Sequence, residues 1–161
     1  MDRWVVYTQP PPLTDEEIES FLKQAKVARF CSLNEDGTIH AVPVWYRYED
    51  GRIMVATPAA SRKARNVRRN RNVTLLIDVS EGGVWPKGVI ICGKAESRRM
   101  PDLLVGEAVS LCEKYMPRDR AEGYARGLLN LTRWVKIVVK PERISSFDYT
   151  RDEAYKTAVG E

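Results

Sequence analysis

Short stretches of alternating apolar and polar residues recur along this chain, and they predict a protein built mainly from β-strands. Residues 27–33, 38–48 and 52–57 follow the alternation, with glycine-containing turns at 34–37 and 49–51. These three stretches predict an antiparallel meander. Four further strands are predicted after it, at residues 73–79, 89–96, 134–140 and 143–149.

Helical periodicity replaces the alternation early in the chain and again in its middle. At residues 14–25, Thr14 and Glu17 have the spacing of a capping box, which opens an amphipathic N-terminal helix. A second helix is predicted over residues 61–71, with Ser61 as its N-cap.

The second half of the chain contains a helical insert, predicted over residues 101–129, which Pro117 divides into two helices. Turn-forming residues predict a loop at 80–88, and Gly93 is interpreted as a β-bulge. The polar tail from residue 150 onward is predicted to be loose.

Six to seven short antiparallel strands with helices between them predict an α+β fold that is mainly β. The favoured architecture is an antiparallel split β-barrel with flanking helices, because closing the sheet removes exposed edges. No repeat or linker divides the sequence, so a single domain over residues 1–161 is expected.

Composition narrows the class of protein. The chain is 43% hydrophobic and 30% charged, with no signal-like or membrane-length apolar run, and a cytoplasmic location is expected. The widely spaced Cys31, Cys92 and Cys112 indicate neither a disulfide framework nor a zinc site. The single histidine, His40, excludes a multi-histidine metal site within one chain and is interpreted as structural, so no metal ligands are assigned.

Charge is distributed unevenly. Six of the eleven residues from 61 to 71 are Lys or Arg, and none is acidic. A helix start presents unpaired N–H groups and a partial positive charge, so Ser61, Arg62 and Lys63 together suit a phosphate. A solvated basic helix face explains the same composition, and the residues alone leave both interpretations open.

The order of these features resembles the split-barrel flavin-binding family related to pyridoxamine 5′-phosphate oxidase. The resemblance rests on four segments in succession: Pro43-Val44-Trp45, a strand ending at Thr57, Ser61-Arg62-Lys63, and Asn70-Arg71-Asn72-Val73. It covers residues 27–93 and returns at residues 140–144. In that family the threonine and the Ser-Arg-Lys segment bind the FMN phosphate. The resemblance therefore implies Thr57, Ser61, Arg62 and Lys63 as phosphate ligands.

The same resemblance implies a homodimer with the cofactor at the subunit interface. Further candidate cofactor contacts then come from an apolar strand, from a loop and from a distant tryptophan: Val42, Pro43, Val44, Trp45, Lys87 and Trp134. Core packing is the more common role of a tryptophan, and it remains open for Trp45 and Trp134.

Two departures argue against vitamin B6 oxidation. The C-terminal Arg-x-His motif of the oxidase is missing, and no glutamine stands near residues 87–89. The arginine-rich stretch also resembles the branch of the superfamily that uses the deazaflavin coenzyme F420. Arg65, Arg68 and Arg69 are then candidates for its anionic tail, unless they pair with acids or solvent.

The predicted function is an FMN-binding oxidoreductase that transfers hydride through the bound flavin, with a small-molecule substrate or a nicotinamide as partner. No catalytic residue is assigned, because the chain offers no nucleophile constellation and no carboxylate pair. An F420-dependent reductase is the nearest alternative. The other classes are a non-catalytic flavin or haem carrier and a basic nucleic-acid-binding protein, although no RNA-binding or zinc-finger signature supports the last.

Overall fold

The computed structural model describes residues 10–160, except residues 26, 82 and 100–104. The strands found there are β1 (Ala28–Leu33), β2 (Ile39–Val44), β3 (Arg47–Glu49), β4 (Arg52–Pro58), β5 (Asn72–Glu81), β6 (Trp85–Arg99) and β7 (Trp134–Asp148). The helices found there are α1 (Asp15–Gln24), α2 (Arg62–Arg69), α3 (Val105–Glu113), α4 (Arg118–Leu131) and α5 (Glu153–Val159). In the described residues, no helix is long and apolar enough to span a bilayer.

The described strands form one seven-stranded sheet in the order β2-β1-β5-β6-β7-β4-β3, and all neighbours are antiparallel. Its two edge strands, β2 and β3, are consecutive in sequence, and only Trp45 and Tyr46 separate them. Three Cα–Cα steps span at most about 11 Å, so the sheet must curl until its edges meet there. The predicted α+β split barrel is confirmed.

The prediction of one strand over residues 38–48 is wrong, and so is the meander. β2 pairs with β1, whereas β3 pairs with β4 at the opposite edge. Val44, the last residue of β2, and Tyr46, in the connection to β3, are both buried in the same core. The alternation therefore continues while the pairing partner changes, and a sequence pattern registers only the burial.

The predicted strands at 134–140 and 143–149 are a single strand, β7. Pro141 interrupts the pattern, but it lies opposite Gly93, where the register of β6 and β7 shifts. A bulge tolerates proline because the ladder is already broken there. The predicted bulge at Gly93 is confirmed, whereas most of the loop predicted at 80–88 belongs to β5 and β6.

The first two helices agree with prediction. Thr14 caps α1 in a capping box with Glu17, and Ser61 caps α2. Within the insert predicted at 101–129, residues 101–104 lie outside the described part, and α4 continues two residues beyond the predicted end, to Leu131.

The loose tail predicted from residue 150 is wrong. Residues Tyr149–Arg151 form a 3-10 turn, and α5 follows it. Asp148 caps the turn and Asp152 caps the helix. Tyr155 packs edge-on against Trp85 and donates a hydrogen bond to the carbonyl of Val84 at 2.6 Å. Side-chain caps and aromatic packing therefore order a segment whose composition is polar.

The main core lies inside the curled sheet and is closed by α1. Its largest fully buried side chains include Phe30, Tyr46, Leu75 and Ile91, with Leu22 supplied by α1. A smaller apolar cluster lies between α3 and α4, where the buried residues are Cys112, Ala121 and Ala125.

Tyr115, just after α3, joins this second cluster to the point where the sheet edges meet. Its hydroxyl accepts a hydrogen bond from the backbone N–H of Tyr46 at 2.8 Å and donates one to the carbonyl of Tyr46 at 3.0 Å. The backbone N–H and carbonyl of Tyr46, which lies between two strands and outside the sheet, are thereby both satisfied. Burial, the largest effect, raises the pKa of Tyr115 to about 12, so the phenol remains protonated.

We expect Gly93→Ala to lower the free energy of unfolding by about 2 kcal/mol, since forced overpacking typically costs about 1–3 kcal/mol. A Cβ at this position would overlap the backbone carbonyl oxygen of Lys140 and lie 3.0 Å from its carbon. The control is Gly127→Ala in α4, where a Cβ meets nothing within 4 Å. The control should stabilise the protein by about 0.5–1 kcal/mol through helix propensity. Urea unfolding measures both, and equal effects would contradict the prediction.

Tyr115→Phe removes the hydroxyl that satisfies Tyr46, and we expect it to cost about 1–3 kcal/mol of stability, the usual penalty for unsatisfied buried groups. The matched control is Tyr124→Phe, because Tyr124 is 44% exposed and should tolerate the change. Thermal unfolding followed by circular dichroism compares the two variants. A Tyr115→Phe protein as stable as the control would show that water satisfies Tyr46 equally well.

Candidate functional site

The candidate site lies where β4 ends and α2 begins. Thr57 is 2% exposed, and its hydroxyl donates to Ser61 Oγ at 3.1 Å. Lys63 Nζ donates to Thr57 Oγ1 at 3.0 Å, and Ser61 Oγ also accepts from the backbone N–H of Ala64 at 3.3 Å. The turn is held by a hydrogen bond from Ser61 N–H to the Pro58 carbonyl at 2.9 Å. Three predicted phosphate ligands are therefore linked in one hydrogen-bonded chain.

This arrangement leaves donors available at the start of α2. Ser61 Oγ already accepts two hydrogen bonds, so its own proton is available to donate. The first N–H groups of a helix have no intrahelical acceptor, and the first turn of α2 contains no acid. Arg62 adds an exposed guanidinium at the same helix end. The donors and the helix dipole together favour an anion.

Positive charge at this position is not compensated. Neither Arg62 nor Lys63 forms an ion pair with any acid among the described residues. Burial lowers the pKa of Lys63. Burial is also the largest cause that lowers the pKa of His40, followed by the charges of Arg62 and Lys63. His40 is therefore neutral at pH 7, and it adds no further positive charge.

The other arginines of α2 bind backbone carbonyls. Arg68 donates to Ala59 at 3.2 Å and Arg69 donates to Leu33 at 2.7 Å, while Arg65 donates to Ala60. They fasten the loop before the helix and the end of β1.

Asn66, which the sequence analysis did not single out, is 3% exposed and holds the inner face of α2. Its side-chain amide donates to Ser32 Oγ at 3.1 Å and to Asn34 Oδ1 at 3.0 Å. An asparagine three residues beyond Lys63 carries no distinctive sequence signal for such a role.

A cavity of about 270 Å³ opens beside the hydrogen-bonded chain. Six of the predicted site residues line it, namely Pro43, Val44, Trp45, Thr57, Lys63 and Trp134. The opposite wall comes from the insert, through Leu111, Cys112, Tyr124, Ala125, Leu128 and Leu129. The sequence carries no signal that these insert residues belong to a site, because helical periodicity does not indicate what a helix will cover.

Aromatic side chains shape this cavity. The Trp45 ring stacks on Tyr115 with centroids 4.3 Å apart and planes 7° apart, and Tyr124 lies 5.7 Å from Trp45 at a tilt of 37°. Trp134 donates its indole N–H to the carbonyl of Leu128 at 2.8 Å. Both tryptophans are thus held by residues of the insert.

Two predicted contacts lie elsewhere in the chain. Val42 packs against the barrel core. Lys87 forms an ion pair with Asp148 at 3.3 Å, near the start of β6 and the end of β7. Thr57 pairs with Val135 at the other end of β7. Within one chain, the structure therefore does not bring Lys87 to the cavity.

A curled antiparallel sheet with an anion-suited helix start is typical of split-barrel proteins. The sequence model of the family described as pyridoxamine 5′-phosphate oxidase matches residues 14–144, and the chain belongs to this family. The resemblance stated from the sequence is confirmed. No curated protein sequence matches the chain.

Solved structures agree on the fold. A conserved hypothetical protein from Mycobacterium tuberculosis is 27% identical, with a TM-score of 0.75, over 86% of this chain and 87% of its own. An FAD-binding protein from Mesorhizobium loti is 23% identical, with a TM-score of 0.61, over 86% and 95%. An F420 reductase is 20% identical, with a TM-score of 0.62, over 82% and 98%.

Lys63→Met should raise the free energy of unfolding of the ligand-free protein by about 1 kcal/mol, because it removes a half-buried charge that lacks an anion. The folded-state pKa of Lys63 lies below 10.5. Between that pKa and 10.5, the unfolded chain holds a proton on Lys63 that the folded chain has lost, so the stability of the wild type rises with pH across this window. The difference in stability between the wild type and Lys63→Met therefore narrows there.

Urea unfolding of the ligand-free protein at several pH values measures this difference. The control is Lys23→Met, because the Lys23 side chain is 58% exposed and its removal should change stability by at most about 0.5 kcal/mol. A destabilised Lys63→Met protein would show that the charge is compensated in solution.

Proposed function

We propose that this protein is an oxidoreductase that binds FMN, with the phosphate at the start of α2. The observation that carries the proposal is the chain of hydrogen bonds from Lys63 through Thr57 to Ser61. It combines a partly buried cation and an available hydroxyl proton with free N–H groups at a helix start. A phosphate satisfies all three, whereas water leaves the charge uncompensated.

The apolar edge of β2 supports a place for the ring beside that phosphate. Pro43 and Val44 line the cavity together with Thr57, and Trp45 forms its aromatic side. When bound, a flavin supplies hydride transfer, and the protein contributes binding, orientation and exclusion of water. The residues of β2 restrict water at the ring, while Thr57, Ser61, Arg62 and Lys63 hold the phosphate. A small molecule or a nicotinamide is the proposed reaction partner.

Coenzyme F420 is the second candidate cofactor. Four arginines on the eight-residue helix α2 favour a ligand with more negative charge than FMN. Three of these arginines already donate to backbone carbonyls, which supports FMN as the first candidate. The similarity to an F420 reductase concerns the fold alone, so F420 should be compared with FMN in the binding experiment.

A homodimer with the cofactor at the subunit interface is part of the proposal. Ile39 is 69% exposed, and its cross-strand neighbour Leu33 is 40% exposed, so an exposed apolar pair lies on the edge strand β2 and on its neighbour β1. Burial of such a pair against a second copy is favourable. In a dimer, Lys87 would approach a cofactor only across that interface.

We expect the purified protein, stripped of cofactor, to bind FMN more tightly than F420 in parallel fluorescence titrations at moderate salt. Lys63→Ala and Arg62→Ala should each raise the Kd by at least about tenfold, as expected for losing a charged hydrogen bond. The control is Arg118→Ala, since that side chain is 87% exposed on α4.

Three measurements together distinguish between the proposed classes of function: the cofactor titration, nicotinamide oxidation by the cofactor-loaded protein, and binding of RNA or DNA at several salt concentrations. Tighter binding of F420 would replace FMN in the proposal. Binding without oxidation of a nicotinamide would indicate a carrier. Binding of neither cofactor, together with salt-sensitive binding of RNA or DNA, would overturn the proposal in favour of a nucleic-acid-binding surface.

A further inference from the structure

The α3–α4 hairpin is fixed to the barrel by polar contacts from several elements. Lys136 Nζ on β7 contacts both carboxylate oxygens of Glu107 at 3.0 Å. Arg47 on β3 donates to Ser110 Oγ at 2.8 Å. With the hydrogen bonds of Tyr115 to Tyr46, these contacts hold the hairpin in one position above the cavity.

The side of the hairpin that faces the cavity is apolar. Leu111, Tyr124, Leu128 and Leu129 line that side, and among the described lining residues Lys63 is the sole charged one. Lys63 lies at the cavity end that contains Thr57 and is hydrogen-bonded to it. The cavity therefore has one cationic end and an otherwise uncharged, largely aromatic and aliphatic wall.

One ligand chemistry matches both parts. A phosphomonoester satisfies the cationic end, and a planar, uncharged ring system attached to it would lie against the apolar wall that Trp45 and α4 form together. A volume of about 270 Å³ is slightly below the range of ligand pockets, which begins at about 300 Å³, so the cavity would enclose part of such a ligand and leave the rest outside. A free phosphate would leave the apolar wall unused.

We infer that the α3–α4 hairpin forms the second half of the cofactor site, with Tyr124 and Leu128 as binding residues that contact the ring. This inference rests on the proposed function and assigns a role to the insert. The barrel holds the phosphate, and the hairpin packs against the ring. The hairpin therefore determines the difference in affinity between FMN, which carries the ring, and inorganic phosphate, which does not.

The test separates the ring from the phosphate by using two probes, FMN and inorganic phosphate, in calorimetric titrations of the full chain. Leu128→Asn keeps the side chain nearly the same size and adds an amide to the apolar wall. It should raise the Kd for FMN by about tenfold, because it removes apolar contact and buries a polar group. The Kd for phosphate should remain unchanged.

Tyr124→Ala is the second variant, and it guards against a folding defect because Tyr124 is 44% exposed. It should weaken FMN binding by about fivefold, as expected for losing an aromatic contact, and leave phosphate binding unchanged. The matched control is Leu131→Asn on the same helix, where the side chain is 77% exposed and lies outside the cavity lining. This control should bind both probes like the wild type.

The outcomes distinguish the inference from the function on which it rests. If wild type binds FMN and both cavity variants bind it equally well, the hairpin is not part of the ring site and the inference fails alone. If wild type binds FMN no more tightly than phosphate, the ring lies outside the cavity and the inference again fails alone. If wild type binds neither FMN nor F420, the proposed function fails first.

Discussion

The connection between β2 and β3 is the constraint on which the structure depends. Two residues join strands that lie at opposite edges of the same sheet, so the sheet must close at this point. The closure fixes Trp45 beside Thr57 in one cavity. It also leaves the backbone of Tyr46 without a strand partner, and the hydroxyl of Tyr115 fills that position. Barrel, insert and candidate site are thus joined at two consecutive residues.

Stability and binding oppose each other at the start of α2. A cation half-removed from water, beside a helix dipole of the same sign, destabilises the ligand-free fold. The same arrangement is preorganised for an anion, because its donors need no rearrangement before they bind. Asn66 and the arginines of α2 hold this geometry through neutral or carbonyl partners, so the charge at Arg62 and Lys63 is not cancelled.

The sequence correctly predicted the structural features that depend on neighbouring residues alone. The capping box at Thr14, the cap at Ser61 and the bulge at Gly93 were all predicted, because each depends on residues a few positions apart or on a single backbone requirement. The break at Trp45 was missed, since burial continues across it while the strand partner changes. Pro141 suggested an end to the strand at residue 140, but β7 continues through a bulge of its own, where Cys92 pairs with Arg143 and Gly93 pairs with Pro141. The wall formed by Tyr124 and Leu128 depends on where a helix packs, which periodicity alone does not encode.

The order in which the strands pair has a consequence for synthesis on the ribosome. β4 pairs on one side with β3, three residues before it, but on the other side with β7, whose first residue is Trp134. The outer edge of β4 therefore stays unpaired from the time when the β3–β4 hairpin emerges until most of the chain has been made. Tyr115 also emerges long after Tyr46, from which 69 positions separate it. Closure of the barrel is consequently a late event, and until then the nascent chain exposes an unpaired strand edge of the kind that promotes aggregation.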